Sequence, residues 1–167
     1  MSASLEVTPT NLLFLQYEVQ ENGAPVGKIE NTPLHVLEKG TVTVNGREYS
    51  VLREGVLRAS YLLRDEDGAI RARAEREGLA GSAYRVLFDS SQILLRKKML
   101  ARRETYLVMD AEVEVGSIVR ESLLSRRLTV TLKETAAGMP RETLLFMVWI
   151  ALMIHRKDSG GSAASGD

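Results

Sequence analysis

The chain has no cysteine among its 167 residues, and its Lys plus Arg (22) equal its Asp plus Glu (22). The missing thiols exclude disulfides, thiolate catalysis, cysteine-type zinc sites and iron–sulfur clusters. A protein dedicated to nucleic acid usually carries a clear basic excess, so the zero net charge argues against that class. Glycine-rich phosphate loops and the Gly-x-Ser-x-Gly nucleophile pattern are also absent. The sequence therefore predicts no cofactor and no catalytic residues.

Histidine is also scarce, and only His35 and His155 are present. Neither has a second ligand at metal-binding spacing, so we expect no metal site. Residues 1–6 lack the basic region and apolar stretch of a secretory signal, and a cytoplasmic protein is expected. The length suits one domain with its own core.

One long apolar run is present, at residues 144–154. As a helix it would cover only ~16 Å at about 1.5 Å per residue. A bilayer core is about 30 Å thick, so we expect a buried helix at about 140–157 and no transmembrane span. The run has no polar face, which requires the rest of the protein to surround it. The core of this helix is predicted to be Leu145, Phe146, Val148, Trp149 and Leu152.

The chain before this run is typical of short β-strands joined by turns. Four similar units begin with Tyr17, Tyr61, Tyr84 and Tyr106, and the later ones recur roughly every 22 residues, which indicates stacked hairpins. Asn45-Gly46 is a strong hairpin signal. Strand formers and turn clusters together predict twelve strands. They fall near 12–20, 26–30, 34–38, 41–44, 47–53, 56–64, 69–76, 83–88, 92–98, 105–110, 114–121 and 126–134.

Twelve strands and one wholly apolar helix favour a mainly β, α+β fold. A closed antiparallel barrel of this size removes sheet edges and has an interior wide enough for a helix. Small residues at Ala59, Ala72 and Ala74 would leave room inside. The alternative is a β-sandwich with the helix packed on one face. Either way we expect an N-terminal extension at 1–11, one domain at 12–157 and a disordered Gly/Ser/Ala tail at 158–167.

The repeated hairpins of the type Tyr61-Leu-Leu-Arg-Asp-Glu-Asp-Gly, followed by the terminal run from Glu142 to Arg156, resemble the LURP-one-related family. That family is grouped with the tubby C-terminal domain and the phospholipid scramblases. The resemblance covers roughly residues 12–157 and implies a twelve-stranded barrel around a hydrophobic C-terminal helix. It also implies phosphoinositide binding or action at membranes, although no ligand residue of that group can be matched to a position in this chain.

Basic residues supply the candidate site. Clustered Lys and Arg can hold a phosphate or an anionic lipid surface, while a solvated face balanced by Glu104 and Glu121 is the alternative. The candidate lipid- or phosphate-binding residues are Arg96, Lys97, Lys98, Arg102, Arg103, Arg126 and Arg127. The acid pairs Asp65/Asp67 and Glu112/Glu114 fall in turns, where solvated charge is the ordinary interpretation.

Three functions remain open from sequence. The first is a non-enzymatic binding module for anionic phospholipid, phosphoinositide or a protein partner, peripheral at a membrane in the lipid case. The second is a carrier of a small hydrophobic ligand beside the helix. The third is an enzyme with an unrecognised site. Oligomeric state cannot be inferred from these residues.

Overall fold

The fold is a closed antiparallel β-barrel with a helix along its interior. The computed structural model describes residues 3–11, 15–32, 38–55, 60–78, 83–122 and 125–160. Its strands are β1 (Ala3–Pro9), β2 (Gln16–Glu21), β3 (Ala24–Asn31), β4 (Lys39–Val44), β5 (Arg47–Glu54), β6 (Ser60–Arg64), β7 (Ile70–Glu77), β8 (Ala83–Phe88), β9 (Ser91–Lys97), β10 (Thr105–Asp110), β11 (Val113–Arg120) and β12 (Leu128–Leu132). A short 3₁₀ turn (Glu134–Ala136) leads into helix α1 (Arg141–Gly160).

The strands form an up-and-down barrel in which each strand pairs with its neighbours in sequence, and β1 closes the sheet between β2 and β12. The predicted twelve-stranded barrel is thus confirmed, but two strand positions are not. Residues 3–9, predicted as part of an extension, form β1 with Leu5 and Val7 facing inward. The segment is short, with Leu5 and Val7 as its large apolar residues, and pairing on both sides makes it a strand. The predicted strand at 34–38 lies outside the described residues except for Glu38, which is not in a strand.

The two ends of the barrel differ in their connections. The turn end carries the tight turns at 22–23, 45–46, 65–69, 89–90 and 111–112, and α1 begins there, where Arg141 pairs with Glu21 at 2.7 Å. The loop end carries the longer connections, including 98–104 and 121–127. Because the chain runs up and down, successive connections alternate between these two ends.

Helix α1 fills the interior. Every residue from Thr143 to Ile154 is buried, including the five predicted core residues Leu145, Phe146, Val148, Trp149 and Leu152. Most inward positions on the strands are apolar, with Asn31 and Arg120 as buried polar residues. Ala72 and Ala74 are buried as expected, whereas Ala59 lies outside the described residues. The helix continues to Gly160, so the predicted tail at 158–167 begins as helix, and 161–167 lie outside the described part.

Glycines give the helix room where strands pass closest to it. A Cβ on Gly40 would lie 2.1 Å from Trp149 Nε1, and one on Gly27 would lie 2.7 Å from Leu145 Cδ2. Carbon atoms pack at about 3.5–4.0 Å, so neither position has space for a methyl group. The interior beside these two glycines is filled by the helix.

Candidate functional site

The loop end of the barrel is polar, and it begins with a layer of tyrosines. Tyr17, Tyr61, Tyr84 and Tyr106 open the four repeat units in the sequence, and each is the second residue of its strand, at the loop end. All four are buried, and the Tyr61 ring packs edge-on against Trp149 with centroids 5.3 Å apart. Burial raises the pKa of each phenol above its ordinary value. These rings separate the apolar helix core from charged groups above them.

The first charged group is the Glu38 carboxylate, whose side chain is nearly buried. It accepts a 2.6 Å hydrogen bond from the Tyr61 hydroxyl and lies 2.5 Å from Lys157 Nζ and 3.4 Å from Arg53. Burial opposes ionisation of Glu38, but its hydrogen bonds with Lys157 and Tyr61 outweigh it and lower the pKa. Glu38 therefore fixes the last turn of α1 to the barrel wall.

A second carboxylate, Glu104, repeats this arrangement. It accepts a 2.7 Å hydrogen bond from Tyr106, lies 2.7 Å from His155 Nδ1, and pairs with Arg120 and Lys97 at 3.3 Å each. Burial works against ionisation, but the hydrogen bonds from His155 and Tyr106 and the nearby charges hold the pKa of Glu104 at about 2. The carboxylate is thus ionised at neutral pH.

Arg120 and Lys97 connect this group to the neighbouring connections. Arg120 is buried, and it approaches His155 Nε2 at 2.6 Å while its Nε donates to the Ser125 carbonyl at 2.8 Å. Lys97, a predicted lipid ligand, faces inward and pairs with Asp158 at 2.5 Å. The structure therefore uses Lys97 to hold the end of the helix.

Sequence reasoning missed both groups, the ion pairs of Glu38 and the cluster of Glu104, Arg120 and His155. Tyr106 follows Glu104 by two residues, which was a usable local signal. Glu38 meets Tyr61 across 23 residues of sequence, so only the barrel brings that pair together. His155, for which the sequence shows no second ligand at metal-binding spacing, contacts Glu104 and Arg120.

The other predicted basic residues lie around the outside of the loop end. Lys98, Arg102, Arg103 and Arg127 are exposed on the adjacent connections 98–104 and 121–127, and Arg96 is exposed on the outer face of β9. A backbone hydrogen bond from Arg120 to Glu104 holds these connections beside each other, and one from Lys98 to Thr105 closes the base of the first. Arg126 is half-buried and hydrogen-bonded to the Tyr17 phenol. We call Lys98, Arg102, Arg103 and Arg127 the basic rim.

The turn end has the opposite charge. Its five tight turns carry Asp65, Glu66, Asp67, Asp89 and Glu112 and no Lys or Arg. Asp65 accepts hydrogen bonds from the backbone of Asp67 and Ala69 and from Arg71, so it is a structural turn carboxylate. In the described part of the chain no group of three or more His, Asp or Glu residues could hold a metal ion.

Two surface cavities also lie at the turn end. One, of about 290 Å³, is lined by charged residues around Asp65 and Arg71. The other, of about 400 Å³, lies between the 89–90 turn and the segment that leads into α1. Neither contains a residue of the basic rim.

The described residues define an antiparallel twelve-stranded barrel closed around its C-terminal helix, with opposite charge at its two ends. No protein-family model matches the sequence, and comparisons with curated proteins and with solved structures give no significant match. Within the described ranges, no helix is both long and apolar enough to cross a bilayer.

Proposed function

We propose that the protein is a binding module whose loop end docks on an anionic phospholipid surface, with the turn end facing away. The observation that carries this proposal is the separation of charge between the two ends of a chain with zero net charge. A negatively charged membrane attracts the basic end and repels the acidic end, so it both holds and orients such a molecule.

The exposed charge at the loop end is basic because Glu38 and Glu104 are engaged and the four basic-rim residues outnumber Glu121, which is exposed on the same connection as Arg127. Glu38 and Glu104 have side chains only 9% and 12% exposed, and both pair with cations of the barrel and helix. The basic rim residues make no ion pair with another described residue, and they project from two adjacent connections. Each Lys or Arg near an anionic membrane surface contributes about 1 kcal/mol to binding.

The resemblance to the LURP-one-related family points in the same direction. We propose that the chain is a member of that family, supported by the closed barrel around a hydrophobic C-terminal helix. A peripheral place on the cytoplasmic face of a membrane follows from the proposed docking. The carrier hypothesis has less support, because α1 fills the interior beside Gly27 and Gly40.

The test compares two variants of equal charge that differ only in location. Arg102→Glu with Arg103→Glu changes the loop end, and Lys28→Glu with Arg47→Glu changes exposed residues elsewhere on the barrel, Arg47 at the turn end. Binding is measured by sedimentation with phosphatidylcholine vesicles that contain or lack phosphatidylserine, or that contain a phosphoinositide. Losing two basic contacts alone weakens binding by about thirtyfold, at about 1 kcal/mol per residue.

We expect the loop-end variant to lose binding to anionic vesicles and the control variant to keep it. Equal losses in both variants would mean that overall charge, and not the loop end, determines binding. If the parent protein fails to bind anionic vesicles at low salt, the lipid proposal is wrong and a protein partner becomes the preferred ligand. A preference for phosphoinositide over phosphatidylserine at equal charge would identify a headgroup site within the basic rim.

A further inference from the structure

An apolar pair interrupts the basic rim at the tip of the 98–104 connection. Met99 is 78% exposed and Leu100 is 104% exposed, and Lys98 precedes them while Arg102 and Arg103 follow. Ile70 and Val113 are the other exposed large apolar residues of the described chain, and they lie beside turns at the opposite end. Met99 and Leu100 are thus an adjacent apolar pair with cations on both sides.

The base of this connection is fixed while its tip projects. Lys97 and Glu104, which bracket it, pair with each other at 3.3 Å and with Asp158 and His155 of α1. The Lys98 amide also donates to the Thr105 carbonyl at 2.8 Å. The base of the connection is therefore held in one place relative to the barrel, which lowers the ordering cost of inserting the tip into a binding partner.

The backbone at the tip also holds the Leu100 side chain outward. Leu100 has φ +61°, a left-handed conformation that a branched residue rarely adopts. The turn thus places a large apolar side chain in solvent at a position where glycine would be the relaxed choice. Exposed apolar residues beside Lys and Arg are the composition of segments that lie at a membrane interface.

We infer that Met99 and Leu100 insert into the acyl-chain boundary of an anionic bilayer, while Lys98, Arg102 and Arg103 contact the headgroups. The inference rests on the proposed function and adds a hydrophobic component to it. Electrostatic docking weakens as salt screens the charges, whereas burial of apolar surface does not. Binding should therefore contain a part that persists at high salt and depends on these two side chains.

Leu100→Gly is the informative variant, because it removes the apolar side chain and also relieves the strain of the left-handed backbone at this position. We expect its melting temperature to equal or exceed that of the parent, so that misfolding cannot explain lost binding. Affinity for phosphatidylserine-containing vesicles should fall about tenfold, and the deficit should remain at high salt. Val113→Ser, at the turn end, removes a comparable exposed side chain and should leave binding unchanged.

A direct measurement of depth completes the test. Trp149 is fully buried within the barrel, so a Leu100→Trp variant carries one additional indole at the tip. Phospholipids brominated on their acyl chains should quench this added emission and leave the parent emission unchanged. Val113→Trp should show no such quenching.

The outcomes distinguish failure of membrane insertion from failure of the proposed lipid binding. If the loop-end variant, Arg102→Glu with Arg103→Glu, loses vesicle binding but Leu100→Gly binds like the parent and Leu100→Trp is not quenched, insertion is wrong and electrostatic docking stands. If the parent binds no anionic vesicles at all, the proposed function fails and the inference fails with it. Quenching of Leu100→Trp together with a deficit that persists at high salt would support both.

Discussion

Gly40→Ala should destabilise the barrel through close contacts with Trp149 of the helix and with the backbone of β3. An ideal Cβ at this position lies 2.1 Å from Trp149 Nε1, 2.9 Å from Trp149 Cε2 and 2.7 Å from the Glu30 carbonyl oxygen. Trp149 is fully buried, and the Tyr61 ring packs against it, so the indole has little room to retreat. The clash with the indole must be relieved by moving the helix or β4, and the contact with Glu30 requires a shift between β3 and β4.

Overpacking of this kind costs about 1–3 kcal/mol. It exceeds the gain of about 0.5–1 kcal/mol that alanine normally brings over glycine in a strand. The cost should depend on the indole, so it should shrink in a Trp149→Leu background, which lacks atoms at the Nε1 position. Trp149 Nε1 has no hydrogen-bond partner among the described residues, so Trp149→Leu removes packing only, at about 2–4 kcal/mol. We expect a coupling free energy of at least about 1 kcal/mol between the two sites.

The assay is urea unfolding of the parent, both single variants and the double variant, followed by far-ultraviolet circular dichroism because the tryptophan signal is lost in two of them. Gly138→Ala is the matched control, since a Cβ there meets nothing within 4 Å, and it should change stability by less than about 0.5 kcal/mol. If Gly40→Ala costs the same in both backgrounds, the helix does not press on β4 as described, and the reasoning is refuted.

Two further predictions concern the helix and its C-terminal contacts. Trp149→Asp should prevent cooperative folding, because it removes a core side chain and buries a charge inside the barrel, and an unchanged melting curve would show that α1 is not central. Glu104 has a pKa lowered from 4.5 to about 2, so the stability it provides is present above about pH 4.5 and is lost as pH falls toward 2. The pKa shift corresponds to about 3 kcal/mol of stability at most. Glu104→Gln should make the melting temperature depend less on pH between those values. A parallel acid dependence in parent and variant would count against the Glu104–His155–Arg120 cluster.

Different sequence patterns indicate the barrel strands and the helix. The tyrosines mark the loop-end start of β2, β6, β8 and β10, since each is the second residue of its strand. The all-round apolarity of 144–154 requires enclosure, and the structure encloses it. β1 was not predicted because the segment has only two buried large apolar residues, Leu5 and Val7, which is a weak strand signal. Pairing with β2 and β12 supplies the rest of its stability.

The candidate site was harder to predict because it depends on contacts between distant segments. A run such as Arg96-Lys97-Lys98 does not show which side chain faces inward, and the strand places Lys97 against Glu104 and Asp158 while its neighbours face solvent. The register of β9 decides this, and a shift of one residue would reverse it. The same limit applies to Glu38 and Tyr61, which lie 23 residues apart and meet through the pairing of β4, β5 and β6.

The net charge of zero does not show that acidic and basic residues lie at opposite ends of the barrel. This separation can be derived from the order of the connections once the topology is known. In an up-and-down barrel, successive connections lie alternately at the two ends, so the charges of alternate connections add together. The tight turns at 65–69, 89–90 and 111–112 contribute carboxylates to one end, and the connections at 98–104 and 121–127 contribute the basic rim to the other. An average over the whole chain cancels these contributions. The zero balance excludes a uniformly basic protein, but it is compatible with a basic surface at one end that binds an anionic ligand.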